Sequence, residues 1–247
     1  MAEHGMEGFD ELFGESYLWF WEPALDDERS EREAELIWTL LGLEPGVEVL
    51  DLACGHGRIA NRLARRGARV TGLDRQAHFL ERARADAAAA GVEVAYVEGD
   101  MRTIPWRERF DAVVNWFTAF GYFDDDELHG ILRNVRGALR PGGRFLIEMV
   151  SLTNVMTRFE PQSVDEREGD FLLQLRRFDP LRGGMETEYV AVRGGETSRY
   201  SVFIRNPTYT ELRDWLLAAR FSRVEGFGED GEPLAAEHRR TIAVAYA

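Results

Sequence analysis

Two glycines and an aspartate stand together where a predicted strand gives way to a predicted helix. Residues 47–52 form an apolar run of the kind that a buried parallel strand needs, and apolar residues at helical spacing begin at Ile59. Between them, Gly55 and Gly57 would let a ligand approach the backbone without a Cβ in the way. A helix N-terminus here presents backbone N–H groups and a partial positive charge. The stretch Asp51–Arg58 is therefore a candidate cofactor-binding loop.

Acidic residues also end the next two predicted strands. Asp74 ends the second strand and lies about twenty residues beyond the glycine loop, where a carboxylate can accept hydrogen bonds from both ribose hydroxyls. A second interpretation stays open, because Asp74 could instead cap the helix that starts at Gln76. Asp100 follows the third strand, although a Gly-Asp pair by itself indicates only a turn. Together with Asp51, these residues predict carboxylates at one edge of a parallel sheet, where open α/β sheets bind ligands.

The elements that must position these residues alternate between strand and helix from residue 47 to residue 150. This rhythm predicts an α/β fold with a doubly wound, mostly parallel sheet. It then breaks, because three predicted strands, 171–178, 185–192 and 197–205, follow one another through Asp-Pro and Gly-Gly turns. Consecutive strands with short turns predict an antiparallel meander inserted into the parallel fold.

The composition limits the functions that the chain can have. A net charge of −14 argues against binding to nucleic acid or to an anionic membrane, since both favour basic patches. The sequence contains no lysine, which excludes a Schiff-base mechanism, and its single cysteine, Cys54, excludes an intrachain disulfide and indicates a reducing compartment. With no signal-like start and no long apolar run, the sequence predicts a cytoplasmic protein.

The run Asp51–Arg58 resembles the first motif of the class I S-adenosylmethionine-dependent methyltransferases. Gly99-Asp100-Met101, the apolar stretch Phe110–Phe123 and the Leu-Arg-Pro-Gly-Gly turn at 139–143 resemble later motifs of this family, of its small-molecule type, in the expected order. The resemblance spans residue 47 to the C-terminus. It implies a Rossmann-like sheet, S-adenosyl-L-methionine as methyl donor, S-adenosyl-L-homocysteine as product, and in-line attack of a nucleophile on the sulfonium methyl group.

The resemblance also implies which residues hold the cofactor. Asp51 and the glycine loop would lie near its methionine end, and Asp74 near its ribose. Asp100 would accept a hydrogen bond from the adenine amino group, while Met101 packs on the ring. No metal ligand is implied. The full implied set is Asp51, Ala53, Cys54, Gly55, Gly57, Arg58, Asp74, Arg75, Asp100, Met101, Asn115 and Phe117.

The resemblance assigns no catalytic residue, and the acceptor-side candidates are Tyr17, Phe120 and Glu148. Tyr17 belongs to the aromatic-rich segment 9–21, which could either pack on the core or close over a ligand. Glu148 breaks the apolar run at the carboxyl end of the fifth strand and could contact an amine acceptor. The implied domains are an N-terminal helical lid (1–46), a Rossmann-like cofactor-binding core (47–155 and 206–247) and an inserted antiparallel cap (156–205).

Two other functions stay open at this point. A nicotinamide-dependent oxidoreductase on a Rossmann sheet is one, because Gly55–Ala60 satisfies a permissive glycine pattern and Asp74 has compatible spacing. Asp51 before the loop, Asp100 after the third strand and the inserted meander argue against it. The other is a non-catalytic cofactor-binding module. The expected partner is a small-molecule acceptor, without nucleic acid or membrane, and the oligomeric state is open, a homodimer being one option.

Overall fold

Two β-sheets of different construction occur in residues 8–247, the part of the chain that the computed structural model describes. The first seven residues of the predicted lid lie outside this part. The strands are β1 (Glu48–Leu52), β2 (Arg69–Asp74), β3 (Val94–Glu98), β4 (Phe110–Asn115), β5 (Leu139–Val150), β6 (Gln162–Arg167), β7 (Asp170–Asp179), β8 (Gly184–Arg193), β9 (Glu196–Arg205), β10 (Arg223–Phe227) and β11 (Arg240–Tyr246).

The helices of the described residues lie between these strands and before β1. They are α1 (Phe9–Leu12), α2 (Glu15–Trp21), α3 (Asp27–Leu41), α4 (Ala60–Arg65), α5 (Ala77–Ala89), α6 (Asp125–Ala138), α7 (Leu152–Thr157) and α8 (Tyr209–Ala218), with 3-10 helices at Glu22–Ala24 and Ala119–Tyr122. Local capping explains two of the starts, because Asp124 and Thr208 each form a capping box with the glutamate three residues on. From residue 8 onward, no helix combines the length and apolar character that crossing a membrane requires.

The larger sheet has the strand order β3-β2-β1-β4-β5-β11-β10. Strands β1 to β5 are parallel, and β11 is antiparallel to both of its neighbours, β5 and β10. Apolar side chains are buried on both faces: Leu50 and Phe145 lie in one core cluster, Val49 and Leu146 in another. Because the strand order reverses between β1 and β4, their carboxyl ends form the crevice where such sheets bind ligands. The predicted doubly wound α/β fold class is confirmed.

The smaller sheet is the predicted antiparallel insertion, with the order β6-β7-β8-β9. The sequence predicted three strands here and missed β6, a mostly exposed edge strand whose polar residues leave no hydrophobic alternation to detect. One face of the sheet, the inner face, is covered by the N-terminal helices. On this face Tyr189, Tyr200 and Val202 are buried against Leu12 of α1, with Phe13 packed beside them. The N-terminal helices therefore lie against the inner face of this sheet.

Candidate cofactor and acceptor cavity

A cavity of about 270 Å³ opens at the carboxyl ends of β1 to β4, beneath α1, α2 and the inner face of the antiparallel sheet. Charged side chains lie at the ends of β1 to β3 and in the loops that follow them, whereas aromatic side chains come from the N-terminal helices, α5, the stretch after β4 and β8. No trio of His, Cys, Asp or Glu side chains within residues 8–247 is grouped so as to hold a metal ion. The sequence-predicted cofactor residues that line the cavity are Asp51, Ala53, Cys54, Gly55, Arg58, Asp74, Arg75, Asp100, Met101 and Phe117.

The loop after β1 has left-handed backbone at Ala53, Gly55 and Gly57, with φ of 60°, 54° and 78°. A Cβ at Gly55 would have no described atom within 4 Å, so this glycine faces open space. A Cβ at Gly57 would collide with the Tyr96 hydroxyl, and Gly57 therefore allows close packing against β3 and does not line the cavity. The Cys54 thiol lies in the wall, where burial raises its pKa well above the usual value and keeps it protonated.

Asp51 and Arg58 carry buried polar atoms without a partner. The Asp51 side chain is 2% exposed, and its Oδ2 atom accepts no hydrogen bond from the described residues. Burial raises the pKa of this carboxyl to about 7, with the Arg58 guanidinium opposing the change. Arg58 Nη1 lies 2.5 Å from Glu33 Oε2, whereas its buried Nη2 has no acceptor among residues 8–247. These two atoms fit a ligand end that has both an ammonium and a carboxylate group.

Asp74 lies at the end of β2 and accepts hydrogen bonds from backbone amides. Gly55 N donates to its Oδ2 atom at 2.8 Å and Gln76 N to its Oδ1 atom at 2.9 Å. The N-cap residue of α5 is Gln76, without a side-chain cap bond, so Asp74 orders the glycine loop and is not the helix cap. Burial raises the pKa of Asp74, and the amide bonds oppose this. Next to it, the Arg75 guanidinium lies 5.0 Å from the centre of the Phe9 ring.

Asp100 and Met101 follow β3 at the same edge of the sheet. Arg102 Nη2 lies 2.7 Å from Asp100 Oδ2. Burial opposes ionisation of Asp100, but the hydrogen bonds from Arg102 outweigh it and lower the pKa of the carboxyl. Asp100 is therefore an ionised acceptor, and a carboxylate retains free lone pairs after such a contact. Met101 is buried and presents an apolar surface beside it. Asp51, Asp74 and Asp100 thus line one cavity.

The backbone after β4 is held in an unusual conformation from two other strands. Phe117 and Thr118 have φ of 65° and 61°, in the left-handed region that is unfavourable for residues other than glycine. Phe117 N donates to Glu148 Oε2 at 2.7 Å, and Arg240 Nη2 donates to Thr118 Oγ1 at 2.9 Å. Glu148 and Arg240 also form an ion pair with each other. We refer to Phe117, Thr118, Glu148 and Arg240 as the β4–β5 clamp.

Besides Gly57, three of the sequence-predicted residues lie behind the cavity wall. Phe120 is fully buried in the core, and both oxygens of Glu148 are bonded within the clamp. Asn115, which the resemblance places near the methyl donor, is fully buried and donates from Nδ2 to the Leu52 carbonyl at 2.9 Å. This bond joins the ends of β4 and β1. Of the acceptor-side candidates, Tyr17 alone lines the cavity.

The covering side of the cavity is aromatic and is assembled from four distant parts of the chain. The Phe13 ring lies 5.0 Å from Tyr17, 5.3 Å from Tyr122 and 6.3 Å from Phe79. Tyr189 of β8 completes this side from the antiparallel sheet. We refer to these five residues as the aromatic wall. Phe13 and Tyr122 fall within aromatic segments that the sequence singled out, but Phe79 and Tyr189 were missed. Period-two alternation along β8 places Tyr189 on the inner face, and only the tertiary structure shows what that face covers.

Comparison with known proteins gives consistent results. Residues 49–143 match a protein family described as a methyltransferase domain. A relative, the cypemycin N-terminal methyltransferase of Streptomyces sp., is 29% identical over 212 residues, which cover 81% of this chain and 82% of that enzyme.

Solved structures extend the likeness to nearly the whole chain. An S-adenosylmethionine-dependent methyltransferase from Clostridium acetobutylicum superposes with a TM-score of 0.76 at 15% identity, covering 96% of this chain and 98% of that one. A sugar N-methyltransferase from Streptoalloteichus sp. superposes with a TM-score of 0.64 at 20% identity, covering 93% and 92%. At these identities the likeness establishes a common fold.

Proposed function

We propose that the chain is a class I S-adenosylmethionine-dependent methyltransferase and that it transfers a methyl group from this cofactor to a small-molecule acceptor bound in the same cavity. The observation that carries the proposal is the pair of buried atoms without partners, Asp51 Oδ2 and Arg58 Nη2. Leaving a buried polar group unpaired costs about 1–3 kcal/mol, and more for a charged group. The amino-acid end of S-adenosylmethionine has one ammonium and one carboxylate, which would satisfy both atoms.

The remaining wall residues suit the other parts of the cofactor. Asp74 would accept hydrogen bonds from the ribose hydroxyls, and Asp100 from the adenine amino group, with Met101 packing on the ring. The loop with left-handed backbone at Ala53 and Gly55 allows close approach of the ligand to the backbone. We assign Gly57 and Asn115 an indirect part, because they fix the loop and the strand ends from behind the wall.

The position of the cavity supports the predicted division of the chain. It is bounded by the N-terminal helices, the carboxyl ends of the parallel strands, and residues of β8 and β9. In this assignment, residues 1–46 act as a lid, 47–155 with 206–247 as the cofactor-binding core, and 156–205 as a cap over the acceptor. Ligand entry then requires movement of the lid, since α1 and α2 lie between the core and the cap.

When bound, S-adenosylmethionine supplies a methyl group already activated by the positive charge on sulfur. The chain contributes position and exclusion of water, and holding the reactants at near-attack distance can be worth several kcal/mol. The phenols of the aromatic wall are not bases at neutral pH, because burial raises the pKa of Tyr17 well above its usual value and that of Tyr189 to about 12. The relative that is similar over most of this chain, the cypemycin N-terminal methyltransferase, favours a nitrogen acceptor.

Calorimetric titration with S-adenosylmethionine, S-adenosylhomocysteine and NADH tests this function. We expect the first two to bind with micromolar affinity and NADH not to bind. Asp51→Asn should weaken binding of both, whereas Asp111→Asn, at the amino end of β4, should leave it unchanged. Binding of NADH alone would contradict the proposed cofactor. Cofactor binding without methyl transfer to any acceptor in a labelled-methyl screen would instead favour a non-catalytic binding module.

A further inference from the structure

Charge is distributed unevenly around the cavity. The charged side chains at its margin lie at the ends of β1 and β2 and in the loops after β1, β2 and β3, apart from Arg240 in the clamp. They are Asp51, Arg58, Asp74, Arg75 and Asp100. The opposite side is the aromatic wall, whose five side chains carry no formal charge at neutral pH. If the charged loops hold the cofactor, the acceptor must contact the aromatic wall.

An anionic acceptor would meet, among the described residues on this side, only cations that already have partners. Arg75 lies over the Phe9 ring, and its Nη2 atom is 3.6 Å from Asp10 Oδ1. The nearest cation of the clamp, Arg240, is already paired with Glu148 and bonded to Thr118. A carboxylate or phosphate placed against the aromatic wall would lose its hydration without gaining a compensating ion pair, and such desolvation costs several kcal/mol. The wall therefore selects against negative charge on the part of the acceptor that it surrounds.

A cationic acceptor is disfavoured for a different reason. A protonated amine has no lone pair with which to attack, and it would lie close to the positive charge on the cofactor sulfur. Like charges at such separation in a low-dielectric site repel strongly. By contrast, a neutral amine gains positive charge only as the reaction proceeds, and the faces of Tyr17, Tyr122 and Phe13 then stabilise it by cation–π attraction.

We propose that the acceptor is bound as an uncharged, largely apolar molecule with a planar group, and that its reacting nitrogen is unprotonated on arrival. This inference rests on the proposed function and adds the substrate class. The nitrogen lone pair forms the new bond to the methyl carbon while the carbon–sulfur bond breaks, and the bonding pair leaves with sulfur. Positive charge thereby moves from sulfur to nitrogen, and the product ammonium loses its proton to water after release.

The test uses three probes that share one ring system and differ in charge: 2-naphthalenemethanol, 2-naphthoate and 2-naphthylmethylammonium. Each is titrated into the protein saturated with S-adenosylhomocysteine and, separately, with sinefungin, whose ammonium stands in for the sulfonium charge. We expect the alcohol to bind about tenfold more tightly than the carboxylate in both complexes. The ammonium probe should bind more weakly with sinefungin than with S-adenosylhomocysteine, because only sinefungin places a positive charge beside it.

Two outcomes overturn the substrate class without touching the cofactor assignment. One is a carboxylate or ammonium probe that binds the sinefungin complex as tightly as the alcohol does. The other is a loaded protein that binds none of the three probes. Failure of S-adenosylhomocysteine and sinefungin to bind at all would overturn the proposed function itself, and the two failures are therefore distinguishable.

Variants show whether the aromatic wall is the binding surface. Phe13→Ala should weaken binding of the alcohol about fivefold or more, because it removes the ring that contacts three other members of the aromatic wall. The control Phe159→Ala removes an exposed ring that does not line the cavity and should change nothing. Tyr189→Phe keeps the ring and removes the hydroxyl, so unchanged affinity is expected. A Tyr189→Phe variant with sharply reduced affinity would show that a hydrogen bond, and not the ring face, selects the acceptor.

Discussion

The two regions that meet at the crevice between β1 and β4 differ in whether the polar atoms of their functional side chains have hydrogen-bond partners. At the end of β1 and in the loop that follows it, Asp51 Oδ2 and Arg58 Nη2 are buried without partners; at the end of β4, Asn115 Oδ1 is the one such side-chain atom among the described residues. After β4, the clamp pairs both oxygens of Glu148, and the Thr118 hydroxyl accepts from Arg240. Both loops contain non-glycine residues with left-handed backbone, and both line the same cavity.

This difference indicates different contributions to function. The loop after β1 is incomplete without a ligand, so a bound zwitterion stabilises it and ligand binding depends on its charges. The hydrogen bonds of the clamp are complete without a ligand. They hold Phe117 in the lining of the cavity although its backbone conformation is unfavourable. Substitutions in the first region should therefore reduce affinity, and substitutions in the second should reduce stability.

Removing a cation from the clamp should have the largest effect. Arg240→Met leaves the buried Glu148 without its ion-pair partner, and breaking a buried pair from one side costs about 3–5 kcal/mol. Because the Arg240 side chain is 20% exposed, we expect about 3 kcal/mol of lost unfolding free energy by chemical denaturation. The neighbouring Arg239→Met is a matched control, since that side chain is 64% exposed and should contribute less than about 1 kcal/mol. Equal losses in the two variants would contradict the clamp.

Asp51→Asn should show the reverse pattern. Without the carboxylate charge, affinity for S-adenosylmethionine should fall by about 2–3 kcal/mol, or roughly 30- to 150-fold, as measured by calorimetry. The unfolding free energy of the ligand-free variant at about pH 8 should be equal to or higher than that of the wild type, because a buried unpaired charge has been removed. A dissociation constant within threefold of the wild-type value would remove Asp51 from the binding site.

The pH dependence of binding should follow the same carboxyl. Burial raises the pKa of Asp51 to about 7 in the ligand-free protein, so below this pH the cofactor ammonium must displace a proton. Affinity should then fall up to about tenfold per pH unit as pH decreases from about 7. His56, the imidazole at the cavity margin, has its pKa lowered to about 4 by burial and stays neutral over that range. Asp51→Asn should flatten the dependence; an equally steep dependence in that variant would assign it to another group, such as Asp74.

Titration of the Asp51 carboxyl should also make the ligand-free protein less stable as pH rises. Because the pKa of Asp51 is higher in the folded than in the unfolded protein, protonation favours the folded state. The ligand-free protein should lose this contribution as pH rises from about 4 to about 7, and bound cofactor should restore stability at higher pH. Denaturation curves with and without S-adenosylhomocysteine would measure both effects, and Asp51→Asn should lack the first.

Sequence alone predicted those features that depend on short-range patterns. The parallel strands, their order of appearance and the carboxylates at their ends were all visible, because Asp51 and Asp74 each stand at the end of an apolar run and Asp100 follows one within three residues. The fold class followed from the same periodicity. Strand β6 was missed because its residues are polar on both faces and only pairing with β7 identifies it as a strand.

The sequence could not show which side chains turn away from the cavity. Glu148 was predicted as an acceptor contact from its place at a strand end, but its partner Arg240 is 92 residues further along the chain. No local pattern encodes that pairing. The aromatic wall is similar, because Phe79 and Tyr189 meet Phe13 and Tyr17 only when the lid lies between the core and the inserted sheet.

Cys54 provides the smallest and most discriminating change, since it lies in the same loop as Asp51 but has no unpaired charge. Its pKa is raised by burial, so the thiol is neutral and behaves as a small apolar side chain. Cys54→Ala should leave the affinity for S-adenosylmethionine and the turnover of any identified acceptor within about twofold, with at most about 1 kcal/mol of lost stability. If turnover instead fell by an order of magnitude at unchanged affinity, the thiol would have a direct part in the reaction. The loop after β1 would then differ from the clamp by a reactive thiol as well as by its unpaired charges.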